Sequence, residues 1–96
     1  MPTWEALGQF IRDYKKLTSA EKNAFNKTVE KFVHDLIGRK FRKGLRIKKV
    51  QGPGHIYEIT WAPDGRATFE FGEEQIENEV HIIWRRIGGH DIFGQP

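Results

Sequence analysis

The chain has 96 residues, 38% of them hydrophobic and 30% charged, with a formal net charge of +3; that suits one hydrophobic core and excludes a disordered tail. It holds no cysteine, and its four histidines (His34, His55, His81, His90) lack paired ligand spacing, so neither a disulfide framework nor a metal or cofactor is expected. No apolar run is long enough to span a bilayer and MPTWEALGQF has no signal-peptide pattern, which makes the cytoplasm the expected location and a membrane an unexpected partner.

Helix is predicted almost from the start. Trp4, Leu7, Ile11 and Tyr14 recur at helical spacing, and Phe10 and Leu17 widen the stripe. Thr18 and Glu21 have the spacing of a capping box, which satisfies free amides at a helix start. Phe25, Val29, Phe32, Val33 and Leu36 form a second stripe, with Gly38 placed as a C-cap. The reading is a helical hairpin over residues 1–38.

The chain changes character next. Arg39, Lys40, Arg42, Lys43, Arg46, Lys48 and Lys49 accumulate with no acid among them. A sheet is predicted over residues 45–87, with strands at 45–50, 55–61, 66–71 and 80–87. Gly52-Pro53-Gly54 bounds one side of the second strand. Ala62-Pro63-Asp64-Gly65 joins it to the third as a hairpin, because Pro presets one dihedral and Gly permits another. Residues 72–79 carry Glu73, Glu74, Glu77 and Glu79 and read as a solvated loop. Two helices followed by strands make an α+β fold: a single domain over residues 1–96, its helical hairpin packed on one face of a twisted antiparallel sheet of about four strands.

Alternation assigns the faces. Leu45, Ile47, Tyr57, Ile59, Trp61, Ala67, Phe69 and Phe71 would meet the helices. Arg46, Lys48 and Arg66 would share the opposite face with Glu58 and Glu70. The last strand resists this treatment: Val80, Ile82, Trp84 and Arg86 share one side, His81, Ile83, Arg85 and Ile87 the other. If Trp84 is core, Arg85 joins the basic face and Arg86 does not, unless Gly88 and Gly89 re-aim it. Strand arginines beside glutamates also serve as plain cross-strand pairs, and His34, His55 and His81 read as structural.

The ending IIWRRIGGHDIFG places two arginines, two glycines and a histidine directly after an apolar run. With Phe10-Ile11-Arg12-Asp13-Tyr14-Lys15-Lys16-Leu17, the basic residues 45–49 and Gly65-Arg66-Ala67-Thr68-Phe69, it resembles the RelE/ParE superfamily of bacterial toxins, most of all the YafQ-type messenger-RNA endonucleases. Arg86-Ile87-Gly88-Gly89-His90 fits their Arg-x-Gly-x-His ending. The chain departs from the family in three places. It lacks the usual opening strand. Thr60 and Gly65 stand near positions where relatives carry a histidine and a tryptophan. The segment Asp91-Ile92-Phe93 is one residue short.

The resemblance implies a RelE-like fold, residues 88–96 as a catalytic tail, and the toxin of a type II toxin–antitoxin system that cuts mRNA on the ribosome without a metal. RNA brings its own nucleophile, the 2′-hydroxyl; the protein must supply an acid, a base and cations. In that scheme His90 is the general acid, since imidazole titrates near neutral pH. Arg86 clamps the scissile phosphate, Arg66 and Arg85 add charge, and Asp64 orients His90 or acts as a weak base. Arg46, Lys48 and Lys49 bind RNA, while Trp61 or Phe93 stacks on a base. The implied partners are mRNA, the ribosome and a cognate antitoxin protein. The alternatives are a ParE-like gyrase inhibitor and an inert module that binds RNA or antitoxin.

Overall fold

The computed structural model describes residues 2–38, 40–52 and 54–96; Met1, Arg39 of the basic run and Pro53 of the Gly52-Pro53-Gly54 turn lie outside the described residues. Residues Thr3–Ala6 form a strand, β1, where helix was expected. It runs parallel to the last strand, with Thr3 opposite His81 and Ala6 opposite Trp84. The Leu7 N–H continues the ladder to the Trp84 carbonyl at 3.0 Å. A short segment with helical spacing is thus taken into the sheet because an open strand edge supplies hydrogen bonds that helix could not add. Trp4, placed in the helical core stripe by spacing, is instead 69% exposed.

Helix α1 is short, Gly8–Lys15, and buries Phe10 and Asp13, with Tyr14 and Leu17 packed partly against the same core. Helix α2 spans Ser19–Gly38. Its predicted capping box is present: the Thr18 N–H donates to Glu21 Oε1 at 2.8 Å, and the Glu21 N–H donates back to Thr18 Oγ1 at 3.1 Å. The expected strand at 45–50 is mostly replaced by a 3-10 turn, Lys43–Leu45, and a two-residue strand β2, Lys48–Lys49. Strands β3 (Tyr57–Thr60), β4 (Arg66–Gly72) and β5 (His81–Gly88) follow, and a second 3-10 segment, His90–Gly94, closes the chain.

The sheet therefore has five strands in the order β1-β5-β4-β3-β2 and is mixed, not four-stranded and antiparallel. The α+β layering stands, with both helices on one face. There Trp84 gathers four phenylalanine rings, Phe10, Phe25, Phe32 and Phe69, at 5.3–5.8 Å between centroids. His81 is buried and clamps β1 to β5: its Nδ1 lies 2.7 Å from Thr3 Oγ1 and its Nε2 2.8 Å from Glu5 Oε1. Among the described residues no helix is long and apolar enough to cross a membrane.

Candidate functional site

Side chains opposite one another across a ladder share a face. The register sets Lys48, Glu58, Thr68 and Arg86 in one row across the sheet, and Thr60, Arg66 and Gly88 in the next. Both rows lie on the face away from the helices, here called the outer face. Lys49 pairs with Tyr57 and takes the opposite side from Lys48, so only Lys48 belongs to this surface.

The ambiguity in β5 is settled by a β-bulge. Thr68 pairs with Arg86 but Phe69 pairs with Trp84, which leaves Arg85 as the extra residue. Trp84 and Ile87 both remain in the core, and the two arginines between them both stay out of it, Arg85 reaching Glu70 and Arg86 reaching Asp13 of α1. A strictly alternating strand would have sent one of the two to the side of Trp84.

The tail then folds back over this end of the sheet. Ile92 is buried outside the helix-side core. A Cβ on Gly88 would sit 3.0 Å from Ile92 Cγ2, so the glycine is what lets the tail press on the strand. The tail packs against β4 and β5 and Thr68 is fully buried, so the expected open basic face is split. Its β4–β5 half is roofed, and its β2–β3 half stays open as a cleft of about 430 Å³ lined by Phe41, Arg42, Lys43, Arg46, Ile47, Lys48, Glu58, Thr60 and Arg66. Five cations face a single carboxylate there. Arg46 adopts a left-handed backbone conformation, φ 49°, unusual for a residue with a Cβ. Arg42 is locked to Asp35 by three hydrogen bonds of 2.8–2.9 Å. The Arg42 guanidinium and its backbone N–H hold the Asp35 carboxyl well below the usual range, against the opposing effect of burial.

His90 stands outside that cleft's lining, where the tail leaves β5. Its Nδ1 is 2.8 Å from Asp64 Oδ1, with side-chain exposures of 62% and 84% for the two residues. An ionised carboxylate accepts only, so the Nδ1–H donates and Nε2 is the nitrogen left for other chemistry. Asp64 sits on the tip of the predicted hairpin, which is closed by bonds from Gly65 N–H to the Ala62 carbonyl and from Trp61 N–H to the Gly65 carbonyl. Gly89 leaves room for the carboxylate: a Cβ there would lie 3.0 Å from Asp64 Oδ2. The Phe93 ring, half-buried, lies 5.9 Å from the imidazole.

Other expected roles need correction. Arg66 is only 8% exposed; its Nη1 donates to the carbonyls of Ala62, Pro63 and Gly65, so it braces the turn that carries Asp64 while still lining the cleft. Arg85 pairs with Glu70 at 2.9 Å. Arg86 is not a free clamp: Nε and Nη2 donate to Asp13 at 2.7 and 3.3 Å, and Nη1 donates to the Gln95 carbonyl at 3.0 Å. Trp61 is buried against Phe25, with ring centroids 6.4 Å apart, which removes it as a base-stacking surface. Asp13 was missed from the sequence. Its one signal is an acid inside an otherwise apolar helix stripe, Phe10, Asp13, Tyr14, Leu17. Burial pushes its carboxyl up, but bonds from Arg86, Gln9 and the Ile87 N–H outweigh that and leave it below the ordinary value. Among the described residues no cluster of three potential ligands could hold a metal ion.

No family model matches the chain, and no curated protein does. Solved structures do. E. coli YafQ aligns at 15% identity with a TM-score of 0.63, covering 95% of this chain and 96% of that one. A metal-bound toxin from Helicobacter pylori aligns at 22% identity with a TM-score of 0.67, covering 95% and 97%. The intact E. coli RelBE toxin–antitoxin complex aligns at 17% identity with a TM-score of 0.60, covering 93% and 96%. At such identities the likeness speaks to architecture alone: the chain shares the fold of these solved toxins, a RelE-like fold.

Proposed function

We propose that this protein is the toxin of a bacterial type II toxin–antitoxin pair and cleaves single-stranded RNA, with messenger RNA on the ribosome as its substrate. The observation that carries the reading is the exposed His90–Asp64 pair, 2.8 Å apart, joined to the cationic cleft through Arg66, which lines the cleft and braces the turn that bears Asp64. In the proposed step the 2′-oxygen attacks the adjacent phosphorus and the P–O5′ bond breaks. His90 delivers a proton to the departing 5′-oxygen, and the 2′-hydroxyl proton passes to water. A 2′,3′-cyclic phosphate and a 5′-hydroxyl result. Asp64 holds the imidazole in one tautomer and orientation. Arg46, Lys48 and the remaining donors of Arg66 carry charge to the phosphates. Arg86, bound to Asp13 and Gln95, serves by fixing the tail that positions His90. Because the nucleophile belongs to the substrate, the step needs no metal.

An antitoxin would neutralise such a protein by covering the cationic surface; the solved neighbours include a toxin–antitoxin complex. A second reading, an RNA-binding or gyrase-directed module without nuclease activity, draws support from the engagement of Arg85 and Arg86 by acids of the same chain. One experiment separates them. Wild type, His90→Ala and Asp64→Asn are expressed in a bacterium with RNA ends mapped, and purified protein is assayed on programmed ribosomes with and without EDTA. The nuclease reading expects growth arrest with codon-phased cuts that persist in EDTA, vanish in His90→Ala and stop at a 2′-deoxy residue. Arrest with intact messages and failing supercoiling would favour the gyrase reading, and normal growth without cuts the inert binder.

A further inference from the structure

Phe41 is an exposed aromatic in an unusual setting. It is 38% exposed, it lines the cationic cleft, and its ring stacks nearly parallel on buried Phe32, centroids 5.7 Å apart and planes at 23°. One ring face is thus seated on buried Phe32, and the residue still contributes to the cleft lining. Exposed phenylalanines that merely complete a core do not need cationic neighbours. This one is followed by Arg42, immobilised by its bidentate bond to Asp35, and lines the same cleft as Arg46 and Lys48. A rigid aromatic plane ringed by cations is the combination that binds single-stranded nucleic acid, bases on the ring and phosphates on the charges.

We infer that Phe41 is the stacking platform of a nucleotide subsite in the cationic cleft beside β2 and β3, holding one unpaired base of the RNA while Arg46 and Lys48 take the flanking phosphates. The inference rests on the RNA-directed reading above and adds a residue that neither spacing nor resemblance singled out. Because stacking accepts any base, the subsite contributes affinity with little sequence preference and anchors the strand at a distance from His90.

The test is equilibrium binding of purified protein to a short single-stranded oligonucleotide made uncleavable by 2′-deoxy sugars, and to a matched oligonucleotide lacking its bases. Wild type should prefer the base-bearing strand by about tenfold, near the low end of what an aromatic stack contributes. Phe41→Ala and Phe41→Leu should lose most of that preference, Phe41→Trp should keep it, and binding to the abasic strand should be the same in all four. Phe41→Leu retains apolar cover for Phe32, so its thermal melt checks that the fold is intact. If folded Phe41→Leu keeps the wild-type preference, the subsite is refuted while the RNA reading stands. If wild type binds neither strand at low salt, both fall. A preference for an acidic peptide over either strand would reassign the cleft to a protein partner and overturn the subsite.

Discussion

Replacing Asp13 by alanine tests the link between helix α1 and the site most directly. The carboxylate is 7% exposed and accepts bonds from Gln9, from Arg86 twice and from the Ile87 N–H. Its loss leaves a half-buried guanidinium without its counter-ion and a buried backbone donor without an acceptor. Breaking a buried ion pair costs about 3–5 kcal/mol and orphaning a buried N–H about 1–3. The partial exposure of Arg86 discounts the first figure, and the two overlap, so a total near 3 kcal/mol is expected. In a domain of this size that lowers Tm by roughly 12–24 °C. Asp13→Asn keeps an acceptor for Ile87 but not the charge, and should cost about half as much. The pH dependence has a definite sign. Asp13 has a folded pKa below its unfolded value, so its contribution is complete above about pH 4 and fades as pH falls through the folded value. The gap between wild type and Asp13→Ala should therefore hold from neutral pH to about pH 4 and narrow below it, measured by thermal melts in a pH series. A gap below about 3 °C at pH 7, or one of constant size down to pH 2, would refute the reasoning.

Three further outcomes follow from the same structure. Thr18→Ala removes a capping bond on α2 and should cost about 1 kcal/mol in a denaturant titration. Thr68→Val should stabilise by about 1 kcal/mol, because the Thr68 hydroxyl is buried with no hydrogen-bond partner and valine keeps its shape; a lower Tm would mean that the hydroxyl is satisfied in solution. Gly65→Ala puts a Cβ 2.6 Å from Trp61 Cε2 and should cost about 1–3 kcal/mol, with any cleavage falling as well because Asp64 is its neighbour in the turn.

Much of this protein is written in short-range patterns. The α2 stripe, the Thr18–Glu21 box, the Pro-Asp-Gly hairpin and the alternation of β3 and β4 are local, and a local signal survives into the fold because the neighbours that satisfy it come along with the chain. The pairing of His90 with Asp64 was also anticipated, though through resemblance and not through spacing. What lay beyond reach depended on partners distant in sequence. β1 exists because β5, more than seventy residues later, offers it an edge. The bulge that keeps both Arg85 and Arg86 out of the core is a mismatch between two strands and leaves no mark on either alone. The burial of Arg66 and Trp61 and the capture of Arg86 by Asp13 follow from how the tail, the hairpin and α1 close on the sheet. Sequence by itself determined which residues are chemically able to act. Only the tertiary structure decided which remain free to do so, because a cation's availability depends on the acids and carbonyls that folding brings within reach of it.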